Sequence, residues 1–148
     1  MDLDFWKLVT ILVALFAAYV AYQQFRIGRE KFKLNLFEKR FSVFAGARRL
    51  LSLVLTEGNI KLEYLFEFRA TVGEATFLFE KDITDYLDEI DRKALRLHTL
   101  HEKLKPLPVG EKRSCLAAEI SDTLGWLTDQ LPALKIHFSP YMKFRAWK

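Results

Sequence analysis

The sequence predicts an all-α protein, in which an N-terminal transmembrane helix continues into a cytoplasmic bundle of about four helices. Three observations support this fold class. An uncharged apolar run begins at Leu8, apolar residues then recur at spacings of three and four, and no long alternating run favours a β-strand. Because 28% of the residues are charged, a folded rather than a disordered domain is expected after the apolar run.

The apolar run has the length of a membrane span. Residues 8–22 carry no charge, and residues 5–6 and 23–25 extend the run to the roughly 20 residues that cross a hydrocarbon core. We assign residues 1–27 to a transmembrane helix and residues 28–148 to a cytoplasmic helical domain whose first helix is continuous with it. A cleaved signal peptide is the alternative. Such peptides carry positive charge before the run and small residues at a cleavage site after it, whereas here the charge follows the run and no small pair has that spacing.

Basic residues lie mainly on the C-terminal side of this run. The membrane-proximal ones are Arg26, Arg29, Lys31 and Lys33. The positive-inside rule therefore predicts a single-pass protein of the bacterial inner membrane, with its N-terminus outside and its C-terminal domain in the cytoplasm. The single cysteine, Cys115, is compatible with that compartment.

One side of the predicted membrane helix is formed by small or polar residues at heptad spacing. This small-residue stripe consists of Thr10, Ala14, Ala17, Ala21, Gln24 and Gly28. Helices in lipid associate by close packing, so small residues mark interfaces. Since the chain has one such helix, we expect a homo-oligomer, and a ring of helices could enclose a lumen. The alternative is that alanine is simply common in membrane helices.

The cytoplasmic half of the first helix is predicted to continue to a turn at residues 56–59, where Gly58 is a C-cap and Asn59 an N-cap. It carries two apolar rows, one for a core and one for a neighbouring subunit. The first row is Phe32, Leu36, Val43, Ala47, Leu50 and Val54, and the second is Phe37, Phe41, Phe44, Leu51 and Leu55.

Three further helices are predicted from the same periodicity. Helix two covers about residues 60–78, and Gly73 weakens its middle. Helix three covers about residues 83–104, with Asp82 as its N-cap. Helix four begins near Glu111, and Pro132 is expected to kink or interrupt it. The aromatic and basic tail, residues 138–148, either packs on the domain or touches anionic lipid or RNA.

Arginine and histidine recur at close spacing in helix three. Arg96 and His101 form an R-x4-H pattern, and Arg92 and His98 form R-x5-H. This resembles the motif of the HEPN ribonucleases, small helical domains that dimerise so that paired Arg and His meet. The resemblance implies that the histidine handles protons at a ribose hydroxyl and that the arginine holds phosphate. His101 also occupies an apolar-stripe position, where a core histidine is the alternative. Three firm metal ligands are not visible, so we predict no metal.

The segment after the membrane helix carries a second resemblance. Residues 31–41 read KFKLNLFEKRF, and residues 74–79 read EATFLF. Both segments resemble a family of small uncharacterised bacterial single-pass membrane proteins that share a K-L-x-L-F-[DE]-[KR]-R-F segment. This resemblance implies no activity.

The architecture, together with Arg96 and His101, also resembles the membrane-bound accessory proteins of type VI-B CRISPR loci. Those proteins have an N-terminal membrane helix, a helical cytoplasmic part with a divergent HEPN-like motif, and an association with oligomeric pores. The resemblance implies an effector of antiphage defence.

We therefore expect a self-assembling inner-membrane protein that forms a pore or perturbs the membrane. The alternatives are a membrane-tethered HEPN-like ribonuclease and a membrane-anchored scaffold that binds a cytoplasmic partner. We expect no cofactor. The expected partners are membrane lipid and further copies of the chain, an RNA or a CRISPR effector is a further candidate, and no feature indicates DNA.

Overall fold

The computed structural model describes residues 2–143, and it describes side chains from Asp4 onward. Every regular element in this part of the chain is helical, which confirms the all-α prediction. The elements are α1 (Asp2–Glu57), α2 (Leu62–Val72), α3 (Ala75–Leu78), α4 (Lys81–Leu104), α5 (Glu111–Phe138) and a 3-10 helix (Ser139–Met142).

Backbone contacts divide the chain into a segment of residues 1–37 and a compact domain that begins at Glu38. The predicted boundary after residue 27 marks the end of the membrane segment and stays a prediction. Within the segment, α1 has no tertiary core. Within the domain, one cluster of buried apolar side chains joins the later part of α1 to the other helices.

The part of α1 inside the domain uses the first predicted apolar row for this core. Val43, Ala47, Leu50 and Val54 are at most 2% exposed. In the second row only Leu51 is fully buried, whereas Phe41 and Leu55 are about half exposed. The second row therefore leaves apolar surface open, as the prediction of a neighbouring subunit requires, although that neighbour stays a prediction.

Gly58 ends α1 in the way that was predicted. Its φ of +66° is a left-handed conformation that favours glycine, and its N–H donates to the Val54 carbonyl at 2.9 Å. The predicted N-cap at Asn59 is wrong, because α2 begins at Leu62 after Lys61. The Asn59 side-chain oxygen instead accepts a bond from the adjacent Ile60 N–H at 2.7 Å.

The single helix predicted for residues 60–78 is also wrong. Two helices, α2 and α3, occupy this region and are separated at Gly73 and Glu74. Glycine has a high conformational entropy and a weak helix propensity. The chain makes a tight turn there, and the Phe77 N–H donates to the Glu74 carbonyl at 3.0 Å.

Helix α4 begins two residues earlier than predicted, with Glu80 rather than Asp82 at the N-cap position. Asp82 lies inside the first turn, where its carboxylate accepts a hydrogen bond from the Tyr141 hydroxyl at 2.8 Å. Helix α4 packs mainly on α5 and α2. The apolar stripe predicted for it is Ile83, Leu87, Ile90, Ala94, Leu97, His101 and Leu104, and its members from Ile83 to Leu97 are buried.

Helix α5 continues through Pro132 to Phe138, so an interruption at the proline is absent. The chain then turns back over the domain in the 3-10 helix. The Phe138 ring is buried and lies edge-on to Phe44 and Phe79, with ring centroids 5.5 and 5.2 Å away. The tail therefore packs on the domain as far as it is described. Phe144, Arg145, Trp147 and Lys148, which belong to the predicted tail, lie outside the described residues.

Candidate functional site

The first half of α1 presents large apolar side chains on every side except that of the small-residue stripe. Each of them is between 57% and 69% exposed: Phe5, Trp6, Leu8, Ile11, Leu12, Val13, Leu15, Phe16, Tyr19, Tyr22 and Phe25. A continuous apolar surface of this size is rare in water. This helix is long and apolar enough to span a membrane, and none of its apolar stretch is buried within the protein. This apolar half of α1 is therefore the first candidate functional element.

The small-residue stripe keeps its predicted place on one side of this helix. At about 100° per residue, its six members fall within an arc of about 80°. All six are exposed. The Thr10 hydroxyl donates to the Trp6 carbonyl at 2.8 Å, so its proton is used within the helix. A Cβ atom on Gly28 would meet nothing within 4 Å, so no contact within the described chain requires glycine there. The stripe is free to contact another helix.

The polar residues at the end of the apolar run also have defined places. The Gln23 amide donates to the Tyr19 hydroxyl at 2.9 Å, which pairs two polar groups at the end of the apolar run. Arg26, Arg29 and Lys31 are exposed, and Lys33 is half-buried. The Arg29 guanidinium lies 5.9 Å from the centroid of the Phe25 ring, a cation–π distance.

The two histidines of the HEPN-like pattern hold the turn between α1 and α2. His98 Nδ1 lies 2.8 Å from the Ile60 carbonyl oxygen, and His101 Nε2 lies 3.1 Å from the Gly58 carbonyl oxygen. Since a carbonyl oxygen only accepts, each of these nitrogens carries a proton. Both rings are half-buried. In this geometry both histidines stabilise a loop.

The arginines of the same pattern point elsewhere. Arg96 is exposed, and its Nε donates to the Glu119 carboxylate of α5 at 3.0 Å. Arg92 is exposed, and its Nε donates to the Asp88 carbonyl at 3.3 Å. Arg96 and His101 are therefore not brought together within one chain. The ribonuclease hypothesis, which needs pairing across a dimer, stays a prediction.

Other chemical sites are sparse in the part of the chain that the structure describes. No group of three or more His, Cys, Asp or Glu residues there has metal-site geometry. Cys115 is a free, exposed thiol on α5. A shallow groove lies between α1 and α2, where the Arg49 guanidinium pairs with the Glu67 carboxylate.

Sequence reasoning missed the role of Arg40. Its side chain is half-buried, its Nε donates to the Leu78 carbonyl at 2.9 Å, and its guanidinium lies 5.5 Å from the Phe79 and Tyr141 ring centroids. Burial lowers the pKa of this guanidinium. The sequence could have indicated that Arg40 is partly buried, because Arg40 lies at helical spacing between Leu36 and Val43 of the first apolar row.

No family model, curated protein or solved structure matches the chain. The resemblances drawn from its sequence motifs therefore stay predictions, and function has to be argued from the residues.

Proposed function

We propose that this protein spans the bacterial inner membrane once and self-assembles there into an oligomer that forms a pore or otherwise perturbs the membrane. One observation carries the proposal. A continuous stripe of small side chains lies on the apolar part of α1 and has no partner within the described chain.

The stripe favours contact with another copy of the chain. In lipid, apolar side chains gain little by burial against each other, and close approach of backbones drives association. Alanine and glycine allow that approach. The described residues contain one candidate span, and the partner that we propose for its stripe is the same helix of a second copy of the chain. Heptad spacing of the stripe suits left-handed packing at a shallow angle.

In a ring of four or more such helices the stripe would face either the neighbouring helices or a central lumen, and in the second case the lumen would be a narrow path with polar residues at its two ends. Thr10 would line this path inside the membrane, and Gln24 would lie at the end nearer the helical domain. The small side chains between them leave space for water or ions. A membrane effector of antiviral defence, the role implied by the resemblance to type VI-B accessory proteins, would act through such an opening.

The orientation follows from charge. Arg26, Arg29, Lys31 and Lys33 follow the apolar run, whereas the short N-terminal flank has one lysine. The positive-inside rule then places the helical domain in the cytoplasm.

Particle mass and vesicle leakage test the assembly. We expect the wild-type protein in neutral detergent to contain at least four chains and, in vesicles, to release a trapped dye. Ala17→Leu puts a larger side chain into the stripe and should reduce both the mass and the leakage. Ala18→Leu is the matched control, because it makes the same change roughly 100° around the helix from Ala17, outside the stripe. A wild-type monomer or dimer at micromolar concentration overturns the pore, since neither can enclose a lumen, and a monomer also overturns the self-assembly.

Labelling of the single cysteine tests the orientation. Cys115 is exposed, so a membrane-impermeant maleimide should react with it in inverted inner-membrane vesicles and not in intact spheroplasts. An Asp2→Cys chain that also carries Cys115→Ser should show the opposite pattern. Labelling of Cys115 in intact spheroplasts would reverse the proposed orientation.

A further inference from the structure

Three of the four membrane-proximal cations share one face of α1. At about 100° per residue, Arg26, Arg29 and Lys33 fall within an arc of roughly 60°. We call this set the basic face. Lys31 lies nearly opposite, roughly 170° away from its centre. The four cations are therefore distributed unevenly around the helix axis.

The basic face points away from the small-residue stripe. The centres of the two are roughly 130° apart around the helix axis. Tyr22, Leu15 and Leu8 lie on the same side as the basic face and are exposed apolar or aromatic groups of the membrane stretch. In an oligomer packed through the stripe, this side would face surrounding lipid and not a neighbouring helix or a lumen.

The basic face would also lie at the depth of the lipid headgroups. At 1.5 Å per residue, Arg26 and Lys33 are separated by roughly 10 Å along the axis. The polar headgroup layer on each side of a bilayer is roughly 5–8 Å thick. Arg26 and Arg29 would therefore lie within this layer, and the long Lys33 side chain could reach it from the aqueous side.

The side chains of this face form a shallow recess. It is lined by Tyr22, Phe25, Arg26, Arg29, Glu30 and Lys33. Its three cations exceed its one carboxylate, so the recess carries a net positive charge. Arginine binds phosphate oxygens through two N–H groups, and the aromatic rings suit the boundary between lipid tails and headgroups.

We propose that the basic face binds the headgroup phosphate of anionic phospholipids in the leaflet next to the helical domain. The inference rests on the proposed membrane assembly and names its lipid partner. Charge complementarity selects a lipid with net negative charge over a zwitterionic one. The flanking rings of the membrane stretch select a lipid over a nucleic acid, whose phosphates are not held at a hydrocarbon boundary.

Native mass spectrometry of the full chain in neutral detergent tests this partner. Phosphatidylglycerol and phosphatidylcholine are added in turn, and the fraction of chains with bound lipid is compared. We expect the wild type to prefer phosphatidylglycerol by about a hundredfold, because three cations that contribute about fivefold each multiply to that order. Arg26→Gln, Arg29→Gln and Lys33→Gln should each lower that preference by about fivefold. Lys31→Gln is the matched control and should keep the wild-type preference.

Two results of the lipid comparison would overturn the lipid proposal. One is equal retention of the two lipids by the wild type, and the other is an equal loss of preference in the Lys31→Gln and Arg29→Gln chains. Preferential capture of an added single-stranded RNA over phosphatidylglycerol would also overturn it. The same spectra count the chains in each particle. A monomer that still prefers phosphatidylglycerol would overturn assembly and leave the lipid site standing.

Discussion

Arg40 of α1 donates a hydrogen bond from its Nε to the carbonyl oxygen of Leu78, the last residue of α3, at 2.9 Å. A second guanidinium nitrogen lies 3.4 Å from the Tyr141 carbonyl oxygen. One side chain thus links the α3 terminus and the 3-10 helix to α1. The last carbonyl groups of a helix have no hydrogen-bond donor within the helix, so a guanidinium that donates to them supplies hydrogen bonds that the helix cannot make.

The first prediction concerns this arginine. Arg40→Met keeps much of the side-chain volume but removes the donors, and it leaves the Leu78 carbonyl without this partner. We expect the free energy of unfolding to fall by ~1–3 kcal/mol, measured by chemical denaturation of the detergent-solubilised protein. Lys39→Met is the control. Lys39 pairs with Glu74 at 3.3 Å on the surface, and loss of this pair should cost less than about 1 kcal/mol. Equal effects of the two substitutions would contradict the role of Arg40.

The second prediction separates the structural and catalytic roles of the Arg/His pattern. His101→Ala removes the bond to the Gly58 carbonyl and should lower the free energy of unfolding by ~1–3 kcal/mol. Arg96→Ala removes an exposed ion pair with Glu119 and should change it by at most about 1 kcal/mol.

An RNA-cleavage assay on the same two variants tests the ribonuclease hypothesis. The structural role predicts unequal losses of stability, whereas the ribonuclease hypothesis predicts an equal loss of cleavage. A catalytic pair would lose cleavage in both variants, whatever their stability. We expect no cleavage by the wild type. Cleavage that disappears in stably folded Arg96→Ala protein would contradict the structural role and favour the ribonuclease.

The third prediction concerns the close approach of α1 and α2. A Cβ atom on Gly46 would lie 2.6 Å from Thr71 Cγ2 and 3.2 Å from Thr71 Cβ. Alanine at this position should gain up to about 1 kcal/mol in helix propensity but lose ~1–3 kcal/mol through overpacking. We therefore expect Gly46→Ala to lower the thermal unfolding midpoint.

Two further chains test the cause of that change. Thr71→Ser removes the clashing methyl group and keeps a hydroxyl, so it should restore stability in the Gly46→Ala background and not in the wild type. Gly125→Ala is the matched control, because a Cβ atom there would meet nothing within 4 Å. It should raise the midpoint. A loss at both glycines would show that close packing is not the cause.

Helix positions could be predicted from the sequence because apolar spacing reports which face is buried. The α4 stripe from Ile83 to Leu97 is the clearest case. The start of α5 near Glu111 was predicted, but the start of α4 could not be predicted in this way. Asp82 is a good N-cap residue, but Tyr141, which is 59 residues away in sequence, uses its carboxylate. Such a bond depends on the tertiary fold, which overrides local propensity.

The candidate site shows a similar division. The stripe from Thr10 to Gly28 depends only on the geometry of one helix, so its spacing was sufficient to predict a shared exposed face. The places of His98 and His101 depend on where the turn at Gly58 meets α4. A pattern within one helix could not indicate that their partners would be backbone carbonyls of another segment.

The last prediction concerns alkaline pH. Burial, with a smaller contribution from Glu89, raises the pKa of Tyr86 to about 12. Partial burial and the hydrogen bond to Asp82 raise the pKa of Tyr141 to about 12. In the unfolded chain a tyrosine titrates near pH 10. Between about pH 10 and 12 the unfolded chain releases these protons while the folded chain keeps them.

The free energy of unfolding should therefore be insensitive to these two groups below about pH 10 and should fall as pH rises from there to about 12. The Tyr86→Phe/Tyr141→Phe chain lacks both titrating hydroxyl groups, so its free energy of unfolding should fall less steeply over that pH range. Denaturant unfolding at closely spaced pH values measures the two slopes, and the slopes from pH 7 to 9 are the internal control. Equal slopes of the two chains above pH 10 would show that neither hydroxyl is held in its neutral form by the fold.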